Sequence, residues 1–121
     1  MKIRIKDNAI RLRLTKSEVA ELCEKGCYKS QTEFNDAAFT YGLRIKEHGE
    51  LSAAFEGNSI MLDIPSKLIS GWDTNAQIGF ENNQALQKGK TLHLLVEKDF
   101  TCLDDRMEDE SDNYPNPKMA Q

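Results

Sequence analysis

Apolar and polar residues alternate through most of the chain, the period-two signature of strands with one buried face. In the opening stretch MKIRIKDNAIRLRL, Ile3, Ile5, Ile10, Leu12 and Leu14 alternate with Lys2, Arg4, Lys6, Arg11 and Arg13. A two-residue turn at Asp7-Asn8, residues that tolerate positive φ, pairs Ile5 with Ile10 and Ile3 with Leu12. The same register sets Arg4 against Arg11 and Lys2 against Arg13 on the opposite face. Each such like-charge pair costs roughly a few tenths of a kcal/mol, so this face calls for an anion.

Thr15 and Glu18 then form a capping box, Val19, Leu22 and Cys23 make one apolar stripe, and Gly26 terminates it. The pattern predicts a helix over 16–25. Four further alternating runs fit an antiparallel meander. Tyr28, Ser30 and Thr32 are set opposite Leu43, Tyr41 and Phe39 across an Asn35-Asp36 turn. A Glu47-His48-Gly49 loop would pair Ile45 with Leu51, Leu43 with Ala53 and Tyr41 with Phe55, and Gly57-Asn58 would pair Phe55 with Ile60 and Ala53 with Leu62. In IPSKLISGW, Pro65 starts a short helix whose expected buried face is Leu68, Ile69 and Trp72. Ala76, Ile78 and Phe80 read as a strand, as do Leu92, Leu94 and Val96, with a polar loop over 82–90 between them.

A repeat lies beneath this pattern: NAIRLRLTKSEVAEL at 8–22 matches NSIMLDIPSKLISGW at 58–72, fifty residues on. Each half then reads ββαββ. The expected fold is mainly β, a β-rich α+β architecture: an antiparallel barrel or sandwich of about eight strands with two short helices and a possible tandem ββαββ pseudo-repeat.

With 121 residues, the length suits a single domain, assigned to 1–102, followed by an acidic tail over 103–121. The body carries 14 basic and 14 acidic side chains, so the net charge of −4 resides in the tail. That tail, with Glu108, Asp109, Glu110, Asp112 and the aromatic Tyr114, offers either a solvated end or a strap that lies over the hairpin cations. Pro115 and Pro117 keep it from being helical.

SIMLDIPSKL, with Leu62, Ile64, Pro65 and Leu68 at a strand-to-helix junction, resembles the swapped-hairpin units of AbrB-type transcription factors and MazE-type antitoxins. MraZ-like proteins place two such units in one chain. The resemblance implies DNA binding through Lys2, Arg4, Lys6, Arg11 and Arg13 on the first hairpin. The second unit departs from the pattern, with Glu50, Glu56 and Asp63 where cations would be wanted. From end to end the chain also resembles a small family of uncharacterised bacterial proteins, which brings no activity with it.

Candidate chemistry is sparse. Cys23 and Cys27 have a C-x3-C spacing, but only His48, His93 and Cys102 remain to complete a zinc site. Acidic neighbours of Cys102 oppose a reactive thiolate, and no nucleophile–base set or glycine-rich phosphate loop is present. No catalytic residue, metal ligand or cofactor is assigned. The expectation is a cytoplasmic, non-catalytic interaction module with a protein partner or a self-docking tail. A DNA-binding regulator is the second reading, and an enzyme or metal-binding protein the third.

Overall fold

The computed structural model describes residues 1–101 and 109–116. Strands dominate: β1 (Lys2–Lys6), β2 (Ala9–Leu14), β3 (Cys27–Glu33), β4 (Ala38–Lys46), β5 (Ser52–Glu56), β6 (Ser59–Pro65), β7 (Gly79–Ala85) and β8 (Thr91–Lys98). Helix α1 (Lys16–Lys25) follows β2, and the single-turn α2 (Ser66–Ile69) follows β6. The strands form two four-stranded sheets, in the orders β1-β2-β8-β7 (sheet A) and β3-β4-β6-β5 (sheet B), with no closed barrel. Their inner faces share one core that includes Leu12, Leu14, Val19, Leu22, Leu43, Leu62, Ile64, Trp72, Leu94 and Val96.

Both halves of the chain build both sheets. Hairpin β1–β2 of the first half joins β7–β8 of the second in sheet A, and β3–β4 joins β5–β6 in sheet B. Exchanging the halves turns the strand order of one sheet into that of the other, read in reverse. The register obeys the exchange too. Lys2↔Arg13 in β1–β2 corresponds to Ser52↔Asp63 in β5–β6, and Cys27↔Arg44 in β3–β4 to Gly79↔Glu97 in β7–β8. Bonds outside the ladders repeat as well: Thr40 N–H donates to Asn58 O as His93 N–H does to Asn8 O. The tandem ββαββ repeat is thus a pseudo-two-fold in space.

The first hairpin and the β3–β4 hairpin have the expected registers, and α1 has the expected bounds. Glu18 closes the capping box by accepting from Thr15 N–H at 2.8 Å, and Gly26 ends the helix at φ 80°. Three expectations are corrected. First, β4 does not pair antiparallel with β5. It pairs parallel with β6, as β2 does with β8. β6, with Met61 between Ile60 and Leu62, takes a central position between β4 and β5. The Ala-rich β5 takes the edge, where Ala54, Phe55 and Glu56 are exposed. Second, 82–85 belongs to β7 rather than to a loop. Asn82 and Gln84 point inward and bond to the backbone edge of β5, where Asn82 Nδ2 donates to Leu51 O at 2.8 Å and Gln84 Oε1 accepts from Ala53 N–H at 2.7 Å. Third, Leu68 and Ile78 are exposed, while Ile69 and Trp72 alone carry the burial expected of the α2 segment.

Candidate functional site: the outer face of sheet A

Alternation in β1 and β2 puts Lys2, Arg4, Lys6, Arg11 and Arg13 on the outer face, with Arg4 directly opposite Arg11 and Lys2 opposite Arg13. The parallel neighbour β8 sets Glu97 beside Arg13. One Glu97 oxygen accepts from Arg11 Nε at 2.6 Å and from Arg13 Nε at 3.0 Å. Lys2 Nζ lies 3.1 Å from the buried carboxylate of Asp99. Among the described residues neither Arg4 nor Lys6 has a carboxylate within ion-pair distance.

Two shallow grooves flank the Arg4–Arg11 pair. One, about 240 Å³, runs between Arg4, Lys6, Arg11 and His93 over a floor of Ala9 and Leu95. The other, about 290 Å³, is bounded by Lys2, Ile3, Arg4, Arg11 and Arg13. His93 Nδ1 is 2.7 Å from Asn83 Oδ1, and its Nε2 is 3.7 Å from a Glu81 oxygen. The face therefore passes from cationic at β1 and β2 to mixed at β7 and β8.

The pseudo-equivalent outer face of sheet B has a different character. Register equates Lys2, Arg4, Lys6, Arg11 and Arg13 with Ser52, Ala54, Glu56, Met61 and Asp63. The ion pair survives there with its signs exchanged: Arg44 Nε bonds Asp63 Oδ1 at 2.8 Å, where Arg13 bonds Glu97. The Asp63 carboxylate and the ion-paired geometry raise the Arg44 pKa.

The described part of the tail lies at the helix end of the molecule. Asp112 closes the start of α1: its carbonyl accepts from Lys16 N–H at 3.0 Å, and its carboxylate accepts from Ser17 Oγ at 2.6 Å and Ser17 N–H at 3.3 Å. Asp109 is exposed and accepts from Ser111 N–H, and the Glu110 carbonyl accepts from Asn113 N–H. Tyr114 N–H donates to Asp99 O at 2.9 Å, and its ring sits 5.8 Å from that of Phe100 and 4.9 Å from Lys98 Nζ. Burial pushes the Tyr114 phenol up to about 12. Among the described residues, Glu97 and Asp99 are the carboxylates that meet the hairpin cations. Glu108, Cys102 and Pro117 lie outside the described residues.

The other candidates are scattered. Cys23 borders a broad cleft of about 720 Å³ between α1 and α2, together with Glu24, Ile69 and Asp73. Burial raises its pKa, which keeps the thiol protonated. Cys27 opens β3, His48 lies in the β4–β5 connection and His93 is on sheet A. No group of three or more metal-ligating side chains converges among the described residues, and none of their helices is long and apolar enough to cross a membrane. Glu97, the residue that organises the basic face, was not singled out by the sequence. Its signal is its outward parity in a strand that only the tertiary pairing brings beside β2.

A family model described as a family of unknown function, DUF7009, matches residues 1–118. No curated protein and no solved structure matches the chain.

Proposed function

We propose that this chain, which belongs to the DUF7009 family, is a non-catalytic interaction module whose outer sheet A face receives an acidic segment of a protein partner. The observation that carries the reading is the shortfall of anions: Arg11 and Arg13 share the single Glu97 carboxylate, while Arg4, wedged opposite Arg11, and Lys6 have none among the described residues. Arg11 and Arg13 are already ordered on Glu97, so a partner carboxylate beside them gains charge-assisted bonds at little further entropic cost. The Ala9 and Leu95 floor of the groove beside Arg4 favours a polypeptide, because an apolar side chain can seat between the cations. The described part of the tail contributes by fastening α1 through Asp112. A cytoplasmic setting agrees with the free thiols of Cys23 and Cys27.

The test is titration of isotopically labelled protein with polyglutamate and, separately, with duplex DNA of equal charge. Polyglutamate should shift the resonances of Arg4, Lys6, Arg11 and His93, and the double substitution Arg4→Ser, Lys6→Ser should weaken binding by about tenfold. Glu97→Gln should strengthen it, since Arg11 and Arg13 are then released. Preference for the duplex, with steep loss of affinity in salt, would replace this reading with the swapped-hairpin DNA regulator. No shift with either polymer at low salt would remove both.

A further inference from the structure

Burial along the inner faces is graded. In β2 and β6, Leu12, Leu14, Leu62 and Ile64 are fully buried, whereas Ile10 and Ile60, nearest the hairpin turns, are each 9% exposed. Beyond them Phe55 is 74% exposed, Phe34 67%, Ile5 56% and Leu86 37%. Ile5 and Phe55 continue the inner parity of β1 and β5, and Phe34 and Leu86 that of β3 and β7. All four turns lie at the same end of the molecule. β4 runs parallel to β6 and β2 to β8, which places both turns of each sheet together. The bonds from Asn82 to Leu51 and from Gln84 to Ala53 show β7 and β5 advancing in the same direction across the seam. Helices α1 and α2 follow the opposite ends of β2 and β6, so among the described residues the space between the sheets is closed by helices at one end and open at the other.

The rim of this open end is divided by charge. Sheet A brings exposed Lys6, Lys88 and Lys90, with Asp7 among them, and sheet B brings exposed Glu33, Asp36 and Glu56. Lys6 and Glu56 are register equivalents of opposite sign.

We infer that the open end is the interface of a two-fold symmetric dimer of this chain. A two-fold axis lying between the sheets and across their strands sets sheet A of one copy over sheet B of the other. Each copy's basic rim then meets its mate's acidic rim, while between the rims Ile5 and Phe34 at one side and Phe55 and Leu86 at the other meet the same pairs of the mate. An isologous interface needs a surface complementary to itself. A foreign partner would have to reproduce both signs and the apolar residues between them, which a second copy already carries. Aromatic residues flanked by polar rims are the usual anatomy of such contacts.

Sedimentation of the full chain from micromolar to millimolar concentration tests this. Wild type should show a monomer–dimer equilibrium, and Phe55→Glu should weaken it by at least about tenfold. The pair Lys88→Glu, Lys90→Glu should weaken it alone, as should Glu56→Lys at the corner this axis sets against it. Mixing the two charge variants should restore a heterodimer tighter than either homodimer. All these positions are exposed, so unchanged thermal melting shows that the variants are folded. A chain that stays monomeric at millimolar concentration, leaving the end to a different partner, overturns the inference. So does a dimer indifferent to Phe55→Glu, or charge variants that fail to rescue each other.

Discussion

Gly79, at the start of β7, sits where a Cβ would come 2.4 Å from Val96 O and 2.9 Å from Glu97 Cα. Both are backbone atoms of the central strand β8 and have little room to yield. Gly79→Ala should therefore cost about 1–3 kcal/mol by forcing the strands apart, read as a lower urea midpoint at unchanged slope. A midpoint equal to wild type would mean that the edge strand shifts freely. The same displacement reaches Glu97, the carboxylate on which Arg11 and Arg13 depend. That dependence was invisible in the sequence. The five outward cations could be read from parity in two strands joined by a two-residue turn, but their anion lies more than eighty positions away. Only the parallel pairing of β2 with β8 supplies it.

Among the elements, α1 shows most clearly how a distant segment completes a local one. The helix has its own capping box, yet Ser17 Oγ and N–H both donate to Asp112. The Ser17 hydroxyl, assisted by Thr15, holds the Asp112 carboxyl below its ordinary 3.8. A carboxyl lowered by folding adds stability that is present above 3.8 and is lost as pH falls through the lower folded value. Asp112→Asn should thus leave less acid-dependent loss in that range, seen by following the urea midpoint against pH. Coincident acid limbs for variant and wild type would refute the contact. Which elements could be read in advance follows from how local their determinants are. The β1–β2 and β3–β4 registers and the limits of α1 are set by neighbouring turn and cap residues, and they could be placed. The β4–β6 pairing joins strands from the two halves of the chain, and no neighbouring turn or cap residue sets it. In β7 the inward residues Asn82 and Gln84 are amides that satisfy the β5 edge, so a search for apolar alternation takes them for a loop. The exposed Phe34 and Phe55 keep the inward parity of their strands, since parity does not report where the opposing sheet stops.

At the scale of the whole molecule, the decisive feature is that neither half owns a sheet. Fragments 1–50 and 51–121 should each lack a cooperative melt, since each holds two hairpins without the central parallel pairings. Mixing them should regain the β-sheet circular dichroism of the intact chain. A fragment that melts cooperatively alone would contradict the exchange of hairpins. The sign-exchanged ion pairs carry this further. If two copies of the first half tried to complete each other, Arg13 would fall beside Arg44. In two copies of the second, Asp63 would fall beside Glu97. Like would meet like in both, and only a first half with a second brings cation to carboxylate. The two halves are thus charge complements along both parallel seams.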